Sequence, residues 1–229
     1  MQNIAELIDL TLLNPEATVD DIAKLIANGI KYNVAALCIL PQHLAIIPSN
    51  CTVTRATVVN FPTGHESHDL VLQTIEQIAL HDQIDEIDYV FPYEAYLAGD
   101  KPYALACSAE AFQRCKHHNL LFKVILETGA LPSSDVIYQM SLDIIHAGCD
   151  FIKTSTGKIA IGATIPAAVA MLSAILDSKI ACGIKLSGGI RTIEQAQSYI
   201  QLAENRMSLK VDKRWFRLGA SSLSMCLIG

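Results

Sequence analysis

The sequence predicts a single (β/α)8 TIM barrel spanning residues 1–229, with its site at the C-terminal ends of the strands. Three observations point there. Apolar runs of strand length alternate eight times with segments of helical period, the pattern of strand-helix units around a parallel sheet. With 51% hydrophobic and 17% charged residues among 229, the chain has material for one large core of the size such a barrel needs. The Gly-x-Gly-x-x-Gly loop that an open dinucleotide-binding sheet would carry after its first strand is absent.

The eight runs cover residues 7–11, 35–40, 52–60, 86–91, 121–127, 151–155, 180–187 and 215–220. Thr18 and Asp21 resemble a capping box with Asp in place of Glu, so a helix starts there, with a stop expected at Asn28-Gly29. Pro41 ends the second run. After the third, Phe61-Pro-Thr-Gly64 leads into a helix with Leu70, Ile75 and Ile78 at helical spacing. Pro92 opens a helix expected to run to about His118, and Ser133-Ser134 opens another that closes at Gly148. Residues 159–176 are uncharged and approach the length of a membrane span. Gly162, Thr164 and Pro166 break the first half of that segment and mark a helix start, which makes it a buried helix.

Composition narrows the function. A net charge of −6 and the lack of a Lys/Arg cluster argue against a nucleic-acid surface and for small-molecule chemistry. The seven cysteines have no Cys-x-x-Cys spacing and read as reduced core residues. With no basic n-region at the N-terminus, a cytoplasmic protein is expected, with no membrane partner.

Charge within the apolar runs carries the chemistry. Asp88, Lys123, Lys153 and Lys185 fall in four consecutive strands, each set within an apolar run. In a parallel barrel alternate residues face inward, so the four are expected to share one polar site. Lys153 lies in Phe151-Ile-Lys-Thr-Ser-Thr-Gly-Lys158. A lysine driven inward must meet a countercharge or lose its proton. Ordinary lysine, with a pKa of about 10.4, is a poor amine nucleophile at neutral pH; burial and a second ammonium such as Lys185 would both favour its neutral form. Asp88 can then keep Lys185 charged and pass protons, so that one lysine attacks while the other stays protonated.

A phosphate site is expected separately. Barrels commonly bind phosphate in the loops after strands 7 and 8. Here those loops read Ser187-Gly-Gly-Ile-Arg191 and Gly219-Ala-Ser-Ser222, with glycines for close backbone approach and serines as donors. Thr156, Gly157 and Lys158 add hydroxyl, backbone and ammonium donors after strand 6.

Taken together, Leu7–Asn14, Glu86–Asp88, Lys123–Gly129, Phe151–Lys158, Ile184–Thr192 and Arg217–Ser222 resemble the signature segments of deoxyribose-phosphate aldolase, in order along the chain. The resemblance implies a (β/α)8 class I aldolase without cofactor or metal. It implies reversible cleavage of 2-deoxy-D-ribose 5-phosphate to acetaldehyde and D-glyceraldehyde 3-phosphate. By it, Lys153 forms the Schiff base, and Asp88 and Lys185 are the proton pair. Phosphate lies against Gly157, Lys158, Gly188, Gly189, Ser221 and Ser222, and Thr156 meets a substrate hydroxyl. The implied partners are a phosphosugar and aldehydes; a homo-oligomer is compatible with the sequence but not specified by it. Leu186 stands where the family usually has Pro or Ala, and the sequence closes at Gly229, before the longer tail of many members. Rival readings are another Schiff-base phosphosugar aldolase or transaldolase, and a non-catalytic phosphosugar-binding barrel.

Other signals are set aside. His65-x-x-His68 lacks a third ligand and reads as a polar loop and helix entry. Cys38 reads as a small core residue, and His117-His118 as a solvated pair at a helix end. Asp9 and Thr11 fit either the mouth of the barrel or a loop anchor.

Overall fold

The computed structural model describes residues 3–80 and 84–221. Eight parallel strands close on themselves in sequence order, β1 pairing with both β2 and β8. They are β1 (Ile8–Leu12), β2 (Ala36–Ile39), β3 (Thr54–Val59), β4 (Glu86–Val90), β5 (Leu121–Ile125), β6 (Phe151–Lys153), β7 (Gly183–Ser187) and β8 (Phe216–Ala220). All eight expected runs are present, the first shifted by one residue to end at Leu12 and the others shortened at one or both ends.

Among the described residues seven α-helices surround them: α1 (Val19–Tyr32), α2 (His68–Ala79), α3 (Tyr93–Leu97), α4 (Lys101–His117), α5 (Ser134–Ala147), α6 (Ile165–Ser178) and α7 (Ile193–Met207). Between β2 and β3 there is only a 3-10 turn, Pro41–Ile46, so strict alternation of strand and α-helix fails there. Pro41 opens this turn, and Ile47, in extended backbone before Pro48, ends it.

Local sequence explains the helix ends. The Thr18-Asp21 capping box is present: the Asp21 N–H donates to Thr18 Oγ1 at 3.2 Å and the Thr18 N–H to Asp21 Oδ2 at 2.9 Å. The expected stop at Asn28-Gly29 is wrong, because α1 continues to Tyr32 and caps on Asn33 in the left-handed region. Gly29 is there for contact: a Cβ would lie 2.5 Å from Leu37 Cδ2, so the glycine lets α1 press against β2. The expected long helix after Pro92 is two, split at Gly99 (φ 99°), after which Asp100 caps α4. On α2 the buried face is Val71, Ile75 and Ile78, while Leu70 points outward. The uncharged 159–176 segment becomes α6, capped by Thr164 and buried through Ala168, Met171 and Leu172. No helix among the described residues is long and apolar enough to cross a membrane.

The register explains where charge goes. Partners Thr11 with Cys38, Cys38 with Ala56, Val58 with Asp88 and Asp88 with Lys123 share one parity. The same parity continues through Lys153, Lys185 and Arg217, and it faces the barrel interior. The opposite parity packs under the helices in the large apolar core. Inside the barrel, Ala36, Cys38, Ala56 and Val58 form a small apolar cluster on the β2–β3 side. The charged side chains gather on the other side of the interior, where Arg217 lies over the inward-facing Phe151 ring.

Candidate active site

Seven ionisable side chains fill that half of the barrel: Asp9, Glu86, Asp88, Lys123, Lys153, Lys185 and Arg217, all at most 5% exposed. Asp88 is the hub. Its Oδ2 accepts from Lys153 Nζ and from Lys185 Nζ, both at 2.7 Å, and its Oδ1 accepts from Lys123 Nζ at 2.8 Å. Lys185 also meets Asp9 Oδ2 at 2.5 Å, and Lys123 meets Glu86 Oε2 at 2.5 Å. Arg217 closes the circuit, donating to Asp9 Oδ1 at 2.6 Å and to Glu86 Oε1 at 3.1 Å.

Three acids face four bases, so this buried set is neutral when one base gives up its proton. Geometry selects which. Burial favours an uncharged Lys123 and Lys185, but Asp88 with Glu86 and Asp88 with Asp9, respectively, outweigh it and raise both pKa values. For Lys153, burial dominates; Asp88 opposes it, Lys185 adds to it, and the pKa falls. Burial alone would raise the Asp88 pKa, yet Lys123, Lys153 and Lys185 hold its carboxyl well below the usual range. Desolvation, more than the second ammonium, is the leading cause of the weakened Lys153 proton.

Above this network a cavity of about 270 Å³ opens at the C-terminal strand ends. Of the seven charged groups only Lys153 lines it. Thr156, Gly157, Lys158, Gly188, Gly189, Arg191 and Ser221 line it as well, while Ser222 lies outside the described residues. Asp88 and Lys185 sit beneath Lys153, within its reach but not on the wall.

The loops are shaped by backbone needs. Gly157, Gly188 and Gly189 have φ of 77°, 86° and 83°, a region that suits glycine. At Gly157 and Gly189 a Cβ would meet nothing within 4 Å, so these turns face open space where an anion could approach the backbone. Thr154 ties the strand ends together, its Oγ1 accepting from the Ser187 N–H at 2.9 Å. Lys158 Nζ donates to the Leu13 carbonyl at 2.8 Å, which anchors the side chain across the mouth.

Thr156 is braced by a residue that the sequence reading did not single out. Glu127, 1% exposed and in the left-handed region at φ 44°, accepts the Thr156 hydroxyl on Oε2 and the Thr156 N–H on Oε1 at 3.4 Å. Burial pushes its carboxyl pKa up despite the Thr156 hydrogen bonds and nearby Lys153.

Several expectations need correction or completion. Asp9 is neither a mouth residue nor a loop anchor, since it is fully buried in the charge network. Thr11 does line the cavity. Glu86 and Arg217 also belong to the network; their parity with Asp88 and Gly219 was the available signal. His65 and His68 pair with Glu94 at 3.0 Å and Glu110 at 2.8 Å, as a polar loop and helix entry would. His118 is not simply solvated, because it meets Glu76 Oε2 at 2.9 Å. Cys38 is a core residue of the inner apolar cluster. No group of three or more potential metal ligands is found among the described residues.

The network makes a mutational prediction. Arg217→Met should strand Asp9 and Glu86 as buried carboxylates short of a partner, and removing one side of such a pairing costs about 3–5 kcal/mol. Urea unfolding of the variant should show that loss; a change below about 1 kcal/mol would contradict the importance of Arg217.

A parallel barrel with one depressed lysine opening into a cavity has the makings of a carbon-carbon lyase that works through an amine. Comparison with known proteins identifies the class as aldolase: the chain belongs to the DeoC/LacD family of aldolases, whose model matches residues 4–222. A deoxyribose-phosphate aldolase of Agrobacterium fabrum (strain C58) is 42% identical over 231 residues, covering 95% of this chain and 86% of that protein. A crystal structure from Coccidioides immitis superposes with a TM-score of 0.85 at 27% identity, covering 96% of this chain and 82% of its own. A tetrameric deoxyribose phosphate aldolase from Aeropyrum pernix shares the fold, with a TM-score of 0.81 at 24% identity over 98% of this chain and 89% of that one.

Proposed function

We propose that this aldolase reversibly cleaves 2-deoxy-D-ribose 5-phosphate to acetaldehyde and D-glyceraldehyde 3-phosphate, as a cytoplasmic enzyme, through a Schiff base on Lys153. The observation that carries the reading is that Lys153 alone, of the seven buried charged groups, reaches the cavity. The same lysine is the one driven toward neutrality.

The chemistry follows from that placement. The neutral Lys153 amine adds to the C1 aldehyde of the open-chain sugar, and loss of water leaves an iminium. The iminium draws electrons from the C2–C3 bond as a base takes the proton of the C3 hydroxyl. Glyceraldehyde 3-phosphate departs and an enamine remains on Lys153. Protonation of that enamine and hydrolysis release acetaldehyde and restore the amine. Asp88, 2.7 Å from both Lys153 and Lys185, is placed to balance the iminium charge and to relay protons with Lys185. Thr156, with its own proton committed to Glu127, offers a lone pair to a substrate hydroxyl. Gly157, Lys158, Gly188, Gly189, Ser221 and Ser222 take the phosphate.

The direct assay supplies deoxyribose 5-phosphate in the presence of a metal chelator and measures acetaldehyde release. Turnover is expected; none, with the folded protein, would defeat the substrate assignment.

Phosphate handling has its own test. Ser221→Asp adds negative charge to the anion loop, so kcat/KM for the phosphorylated sugar should fall about tenfold or more, equivalent to roughly 1.4 kcal/mol. Cleavage of unphosphorylated deoxyribose should barely change. An equal loss on both sugars would remove Ser221 from the phosphate site.

A further inference from the structure

At the opposite end of the barrel two thiols meet that the chemistry above does not use. Cys149 lies just before β6 and Cys182 just before β7, and their sulfurs are 3.7 Å apart. The backbone beside them is fixed: the Gly183 N–H donates to the Asp150 carbonyl at 2.8 Å. Asp150 in turn accepts the Phe122 N–H at 2.7 Å and the Lys116 ammonium at 2.8 Å. Cys149 is 6% exposed, whereas Cys182 is half-buried and lines an outward groove with Ile180 and Trp215.

We propose that Cys149 and Cys182 form an oxidisable dithiol, closed to a disulfide by a peroxide, that staples together the entries of the two strands carrying Lys153 and Lys185. A disulfide holds its sulfurs about 2.05 Å apart, so rotation of the more accessible Cys182 has to bring them closer by less than about 2 Å. The groove gives a peroxide access to Cys182 first. Its thiolate takes one peroxide oxygen to become a sulfenic acid, and hydroxide leaves. The Cys149 sulfur then displaces that hydroxyl; its proton and the hydroxyl form water. In sum two thiols lose two hydrogens and one peroxide becomes two waters. The contact with Cys182 and burial both raise the Cys149 pKa, which suits Cys149 to the second, slower step.

The bond would close a loop over a separation of 33 residues and restrict the unfolded chain. Because it sits at the N-terminal face, its effect should be on stability and not on turnover.

The test treats the full-length protein with hydrogen peroxide, then maps cysteines by mass spectrometry without reduction. The expected product links the Cys149 and Cys182 peptides, is two hydrogens lighter, reverts with dithiothreitol and keeps aldolase activity. The melting temperature should rise by about 5 °C or more. Cys182→Ser, a change at a half-exposed position, should abolish both the link and the rise, and Cys149→Ala should do the same. Oxidation of Cys182 to a sulfinic acid with Cys149 still alkylatable would overturn the proposal. So would a link to another cysteine, and a link with no rise in melting temperature would overturn the stapling role.

Discussion

Lys153→Arg is expected to abolish cleavage, lowering kcat by at least about a thousandfold while leaving the barrel folded. The substitution keeps a positive charge beside Asp88 but removes the amine, since a guanidinium stays protonated and forms no imine. Arginine therefore separates charge from nucleophilicity at a position that is 3% exposed. Circular dichroism and thermal melting would establish that the variant folds, and the acetaldehyde assay would read the loss. Retention of more than about a tenth of native turnover would mean that the covalent step lies elsewhere.

Lys185→Leu should have the second largest effect, and it tests the charge count of the interior. Removing that ammonium leaves Asp9, Glu86 and Asp88 facing only Lys123, Arg217 and Lys153. Neutrality would then require a protonated Lys153, so its pKa should rise. The native pKa lies below the ordinary value, with the neutral amine formed above it. In the variant the same rise in trapping should come at higher pH, by about one unit or more, with activity near neutrality down about a hundredfold. If the pH profile of imine trapping is unmoved, Lys185 is not a perturbing charge, whatever protons it transfers.

Much of this site was legible because strand periodicity is simple. Asp88, Lys123, Lys153 and Lys185 each interrupt the interior of an apolar run, and such charges have few places to go in a closed barrel. Glu86 and Arg217 obey the same alternation but stand at or near the starts of their runs, where a charge also suits solvent. Asp9 was ambiguous because a single strand does not reveal that Arg217, 208 residues away in sequence, will meet it. The role of Glu127 depends on a left-handed bend after β5 and a contact with Thr156 29 residues on, which no local pattern encodes. Helix ends failed where Gly had two readings. Gly29 served close packing within α1, whereas Gly99, with its positive φ, did break a helix.

The charge count also sets the ordering of the lysines. Lys123 and Lys185 each meet two carboxylates closely, while Lys153 meets one and faces the cavity. The difference in counterions, more than any difference in burial, distinguishes the amine that can be neutral from the two that remain charged.

The most direct measurement is trapping with acetaldehyde and borohydride at neutral pH, followed by peptide mapping of the native protein. The account predicts a single two-carbon adduct on Lys153, with Lys123 and Lys185 unmodified. An adduct on Lys123 or Lys185, with Lys153 free, would contradict it.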